Sequence, residues 1–68
     1  MKKFKMKHTV FDAHEESFNE GSAPSWLTSE NTIPGSTMDA RWFWQDYVLQ
    51  LKVGQSVSTD FWLIARVE

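Results

Sequence analysis

The chain contains no cysteine and only three glycines and two prolines among its 68 residues. Without cysteine, neither a disulfide nor a thiolate metal site can reinforce the core, so side-chain packing has to supply the stability. No stretch approaches the roughly 18 apolar residues of a membrane span, and the N-terminus runs into polar positions rather than an apolar signal region. We therefore expect one small cytoplasmic domain over residues 1–68 that makes no contact with a membrane.

Positive charge is scarce beyond the first eight positions. Lys2, Lys3, Lys5 and Lys7 stand there without an acid, whereas from residue 9 onward three basic residues face nine acidic ones, a balance of −6. A body of this charge repels phosphate at long range. The distribution argues against a domain that grips nucleic acid over its whole surface, and it suits a basic partner.

Motifs that carry catalysis are also missing. The glycines are isolated at positions 21, 35 and 54, which excludes a glycine-rich phosphate loop, and no serine lies in a strand-to-helix nucleophile turn. The acids are scattered rather than gathered in a cleft. We expect no enzymatic activity, no cofactor and no small-molecule substrate.

Metal-competent side chains form one short cluster near the N-terminus. Its two histidines lie six residues apart, a spacing that does not match the one-turn separation of short metal motifs. We therefore predict no metal site there. The cluster consists of His8, Asp12, His14, Glu15 and Glu16.

Aromatic residues, by contrast, are abundant: four tryptophans, five phenylalanines and one tyrosine. Each aromatic ring buries roughly 150–250 Å², so the rings compensate for the missing disulfides. One or two of them at the surface would instead act as interface anchors, a common role of tryptophan and tyrosine. The two interpretations are compatible.

The N-terminal residues alternate in polarity, which predicts a strand over about residues 2–11. Lysines on its polar side are also typical of a protected edge strand. One side of this strand carries Phe4, Met6, His8 and Val10, and the other carries Lys3, Lys5, Lys7 and Thr9.

A second strand is predicted over about residues 57–67, where Val57, Phe61 and Leu63 alternate with Trp62 and Ile64. We assign the first set to the core. Trp62 and Ile64 on the outer face then indicate that this face is covered by the connecting loop, a second copy or a partner.

Residues 12–35 are rich in helix and strand breakers and predict an irregular connection. Asp12–Asn19 suggests an acidic turn. Pro24 is placed to start a short helix through Trp26 and Leu27, which would pin the connection to the core.

A helix is predicted over about residues 37–52, capped by Ser36 with Asp39 and stopped by Gly54. Met38, Trp42 and Leu49 fall on the side opposite its main apolar stripe. An alternative makes residues 47–53 a strand, but we favour the helix because the cap and the stripe agree. The stripe comprises Ala40, Phe43, Trp44, Tyr47, Val48 and Leu51.

These elements predict a small α+β domain with a two- or three-stranded sheet packed on one amphipathic helix. The C-terminal strand should pair with the first, in parallel if the helix forms a crossover between them. Because so few elements make a thin core, we also expect either a third strand after Tyr47 or self-association.

The function expected from this pattern is non-catalytic protein binding. Trp42 would be the anchor, Leu49 and Met38 would extend its apolar surface, and Gln45 with Asp46 would form a polar rim; Trp62 is a further candidate. The partner would be another protein or a second copy. The composition also resembles that of short accessory proteins of phages and other mobile elements, a likeness that transfers no site.

Two alternatives belong to other classes. Lys3, Lys5 and Lys7 with nearby rings suggest a single-stranded nucleic-acid-binding module, although rings and lysines lie on opposite sides of an alternating strand. Alternatively, Asp12, Glu16 and Glu20 would line one side of a helix and imitate the phosphates of DNA, which would make the protein an acidic inhibitor of a DNA-binding protein.

Overall fold

The computed structural model describes residues 1–10, 15–33 and 35–68, and in it the two ends of the chain lie side by side in one sheet. β1 (Lys3–His8) pairs antiparallel with β4 (Trp62–Arg66). β2 (Glu15–Asn19) flanks β1, and β3 (Ser56–Ser58) flanks β4, so the order is β2-β1-β4-β3. The predicted α+β domain is confirmed. The predicted two or three strands are too few, however, and the pairing of β1 with β4 is antiparallel rather than parallel.

β1 follows the predicted alternation. Phe4 and Met6 are fully buried, while Lys3 and Lys5 are exposed on the opposite face. The strand is nevertheless interior, with β2 on one side and β4 on the other. The lysines therefore do not protect a sheet edge, and the strand ends at His8, before the exposed Val10.

β2 lies inside the segment predicted to be irregular. It contributes one buried ring, Phe18, which stands opposite Phe4 in the register with ring centroids 5.6 Å apart. Five residues with a single inward apolar side chain give too little alternation to recognise. The predicted acidic turn is thus wrong over Glu15–Asn19, and Asp12 lies outside the described residues.

The short helix predicted after Pro24 is present as α1 (Ser25–Thr28). Leu27 is fully buried, and Trp26 is partly buried against the core. The connection is pinned to the core in the way that the sequence predicts.

The predicted strand over residues 57–67 is a hairpin of two strands. The backbone turns where Thr59 N donates to Trp62 O at 2.8 Å, directly after a serine and beside Asp60, residue types that favour turns. The turn changes the phase of the alternation, so that Val57 stands opposite Ile64. Ile64 is 1% exposed and Leu63 is 36% exposed, so the predicted inward and outward faces are interchanged in β4, whereas Val57 packs against the core as predicted.

The helix after residue 35 is shorter than predicted. α2 (Ala40–Phe43) continues into a π-helical turn, the wide turn (Trp44–Val48), where Leu49 N donates to Trp44 O five residues back. The predicted bounds of 37 and 52 are wrong at both ends. The alternative strand over 47–53 is also wrong, because the helical conformation lasts to Val48.

The N-cap is Asp39 rather than Ser36. The Asp39 carboxylate accepts from Trp42 N at 2.8 Å, whereas the Ser36 hydroxyl accepts from Met38 N in the preceding turn. An aspartate directly before the first helical residue satisfies an unpaired helix amide and favours the helix dipole. Asp39, which the sequence placed in the cap together with Ser36, therefore caps the helix by itself.

The core lies between the helices and one face of the sheet, and the other face, with Lys5 and Leu63, is open. Within the described segments, no helix has the length and apolar character required to cross a membrane. The buried apolar residues are Phe4, Met6, Phe18, Leu27, Ile33, Ala40, Phe43, Trp44, Val48 and Ile64.

Candidate protein-binding surface

Two large aromatic side chains meet on the outer side of the helical segment. Trp42 is 46% exposed and Tyr47 is 43% exposed, and their rings meet edge to face with centroids 5.0 Å apart. Residues five apart would be separated by about 140° around an α-helix. The wide turn brings the two rings together, and for the same reason Tyr47 leaves the buried stripe in which the sequence placed it.

Tyr47 connects this exposed pair to the core. Its ring also stacks on Phe43, with centroids 6.0 Å apart, and Phe43 is only 3% exposed. The three rings form a continuous series from the interior to the surface. Such packing restricts the rotamers of Trp42 before any partner binds, which lowers the entropy cost of docking.

An open groove of about 500 Å³ lies beside the Trp42 indole, and we call it the Trp42 groove. One wall is the loop before α2, which is held to the helix start by Ala40 N donating to Asn31 O at 2.7 Å and by an antiparallel bridge between Thr32 and Asp39. The lining residues are Glu30, Asn31, Thr32, Asp39, Arg41, Trp42 and Gln45.

The groove carries more acid than base. Glu30 and Asp39 line it, and Arg41 is the basic residue among its lining side chains. The Arg41 guanidinium contacts the Glu30 carboxylate at 2.8 Å, so this positive charge is locally compensated. Asp46 is exposed on the wide turn and carries a further negative charge.

The residues predicted to form the binding surface do not all lie together in the structure. Trp42 and Gln45 both line the groove, and Asp46 is exposed one residue before Tyr47. Met38 and Leu49 lie just outside the two ends of the helical segment, where both are partly buried and pack against the core. The structure therefore does not bring Met38, Trp42 and Leu49 together as one stripe of a continuous helix.

Trp62, the remaining candidate, belongs to a second aromatic cluster. Its partly buried ring lies 5.3 Å from the Trp26 ring and 4.8 Å from the His8 ring. His8 in turn stacks on Phe61 at 6.0 Å. This cluster fastens α1 to the end of β1 and β4.

The three lysines proposed for nucleic-acid binding lie on the open face of the sheet. Lys3 pairs with Glu68 at 3.2 Å, and Lys5 pairs with Glu15 at 3.3 Å. Lys7 stands across from Leu63. Pairing with carboxylates lowers the positive potential that would attract phosphate, and this weakens the nucleic-acid alternative.

The DNA-mimic alternative required a helix through Glu16 and Glu20. Glu16 instead lies in β2 and Glu20 lies in the turn that follows, so the helical premise is wrong. Asp12, the third member, is outside the described residues.

A metal centre finds no support in residues 1–10, 15–33 and 35–68, where no three histidine, aspartate or glutamate side chains are grouped closely enough to hold an ion. Asp12 and His14 of the sequence cluster fall in the interval that the structure does not describe.

Sequence reasoning missed Tyr47, Glu30, Asp39 and Arg41 as members of the surface. Trp42 and Tyr47 are five residues apart, and the helical period of 3.6 residues does not place residues at this spacing on the same face of a helix. Glu30 contacts Arg41, which lies eleven positions further along the sequence. Comparisons with protein families, with curated proteins and with solved structures gave no match to this chain.

Proposed function

We propose that this chain is a non-catalytic protein-binding module that docks its partner on Trp42, Tyr47 and the Trp42 groove. The observation that carries the proposal is the pair of nearly half-exposed rings held edge to face over a buried phenylalanine. Tryptophan, tyrosine and arginine dominate binding energy at protein interfaces, and all three residue types are present here.

The charge of the surface supports a basic partner. Glu30 and Asp39 line the groove together with Trp42, Asp46 is exposed on the wide turn, and the single cation among the described residues that line the groove is already paired. Complementary charge accelerates encounter and rejects acidic competitors. A standard interface covers about 800 Å² on each partner, roughly a fifth of the 4299 Å² surface of the chain, so the contact would extend past the groove onto the rest of the wide turn.

The test is site-specific photo-cross-linking. A benzoylphenylalanine residue is placed at position 45, where the exposed Gln45 lines the groove and the Trp42 indole is kept, and, as the control, at position 53, because the exposed Val53 is not among the groove-lining residues. Each probe is irradiated in an extract of the source organism. We expect one protein adduct from position 45 that excess unlabelled wild-type chain suppresses and excess Trp42→Ala chain does not.

The outcomes separate the proposal from non-specific contact. Suppression by the wild type but not by Trp42→Ala supports docking at the indole. An adduct that forms equally from position 53, or that both competitors suppress equally, would contradict it. Because Trp42 is largely outside the core, the Trp42→Ala competitor should stay folded, and its near-ultraviolet circular dichroism checks this.

A further inference from the structure

We infer that the Trp42 groove receives an arginine side chain of the partner. This inference rests on the proposed function and deepens it by naming the chemistry of the group that enters the groove. It follows from three features of the groove: an accessible indole, carboxylates beside it, and an intramolecular guanidinium already bound there.

The indole supplies the first element of a cation site. Trp42 lines the groove with nearly half of its surface accessible, and Tyr47 supports the ring. A guanidinium placed within about 6 Å of an indole centroid is attracted by the ring quadrupole, and tryptophan is the best aromatic partner for this interaction. An apolar side chain would bury the indole surface but would not gain the attraction between a cation and the ring quadrupole.

The carboxylates supply the second element. Glu30 and Asp39 line the same groove as the indole. The position of Asp39 is fixed, because its Oδ1 accepts from Trp42 N at 2.8 Å and the same residue is bridged to Thr32. A cation stacked on the indole would thus have carboxylate acceptors within the groove, which is the arrangement that makes guanidinium binding strong.

Arg41 shows which cation fits. Its guanidinium already contacts Glu30 at 2.8 Å, with side-chain exposures of 51% and 79% for Arg41 and Glu30. So exposed a pair contributes little to stability and exchanges readily. A partner arginine can therefore replace Arg41 on Glu30 while stacking on the indole, and its planar, weakly hydrated guanidinium suits both contacts better than a lysine ammonium.

The experiment titrates the full chain with N-acetyl-arginine amide and, separately, with the neutral N-acetyl-norleucine amide. The readout is the ¹⁵N–¹H resonance of the Trp42 indole, assigned from its absence in Trp42→Phe. We expect the arginine probe to saturate this shift at a concentration at least about five-fold lower than the norleucine probe.

Charge variants locate the site. Glu30→Gln should weaken the arginine probe about three-fold, and Arg41→Ala should strengthen it, because the competing guanidinium is removed. Glu16→Gln removes an exposed acid from β2 and serves as the matched control, with no change expected beyond the small effect of net charge.

Equal shifts by the two probes, or no shift of the Trp42 indole with arginine, would overturn the inference. Equal weakening by Glu30→Gln and Glu16→Gln would overturn it too, since the effect would then come from net charge rather than from the groove. A competable cross-link from position 45 would still support protein docking in each of these cases, so failure here is distinct from failure of the proposed function.

Discussion

At the scale of single residues, the tryptophans divide between the core and the surface. Trp44 is 7% exposed and contacts Phe4 in the core, whereas Trp42 is largely at the surface. The sequence predicts the exposure of Trp42 because it lies opposite the main stripe. It does not predict the exposure of Tyr47, whose position depends on one wide helical turn.

Phe4→Ala tests the assignment of the core face of β1. Phe4 is fully buried and contacts Phe18 and Trp44, so the change should lower the free energy of unfolding by about 3–5 kcal/mol. Lys5→Ala, on the other face of the strand, loses only an exposed ion pair and should cost less than about 1 kcal/mol. Urea denaturation measures both; equal losses would contradict the assignment.

Gly35→Ala tests the packing of Phe61 on the loop before α2. Gly35 has φ +81°, and an added Cβ would lie 2.0 Å from the Phe61 ring. Gly54 has φ +90° with open space around it, so Gly54→Ala pays the conformational cost of about 1 kcal/mol without the clash. Thermal denaturation should show the larger loss at Gly35.

The double variant Gly35→Ala/Phe61→Ala isolates that clash. Removing the ring should make the glycine substitution cost about as much as Gly54→Ala does. A cost of Gly35→Ala that is the same with and without the Phe61 ring would contradict the close contact.

At the scale of elements, the sequence predicts the helices and strands that follow a regular pattern of apolar residues. It misses the places where a turn or an extra residue shifts that pattern by one position. Alternation identifies β1, and Pro24 identifies α1. The β3–β4 hairpin was missed because a short turn at Thr59 shifts the alternation without interrupting it. Similarly, the wide turn adds one residue to a helical turn, so the predicted stripe holds at Ala40, Phe43 and Val48 but fails at Tyr47.

Asp39 tests the observed helix start. Asp39→Ala removes the acceptor for Trp42 N and should destabilise the protein by about 1 kcal/mol, whereas Asp39→Asn keeps an acceptor and should cost only a few tenths. Ser36→Ala should cost less than Asp39→Ala, because Ser36 caps only a turn. The reverse order in denaturant midpoints would place the cap at Ser36, as the sequence alone suggested.

At the scale of the whole molecule, the first and last strands pair in the centre of the sheet, and β2 and β3 flank them. β1 and β4 each have two neighbouring strands, whereas β2 and β3 are edges. A local sequence pattern cannot predict this strand order, because the pairing of Met6 with Ile64 joins residues near opposite ends of the sequence. The sequence predicts that the first and last strands pair, but not the antiparallel sense or the two flanking strands.

Hydrogen exchange tests this order. Amides that β1 and β4 share should exchange most slowly, because they open only when the whole domain unfolds, and those of the three-residue β3 should exchange faster through local fraying. Exchange of β3 amides as slow as that of β1 would contradict a peripheral β3.

The central claim is that the partner binds at Trp42, and that this side chain contributes to binding rather than to the stability of the fold. The most direct measurement is calorimetric titration of the cross-linked partner, once purified, with wild-type chain and with Trp42→Ala, alongside their melting temperatures. The account predicts affinity at least about 30-fold weaker for the variant and a melting temperature within about 5 °C of wild type. Unchanged affinity, or a melting temperature that collapses with the affinity, would contradict it.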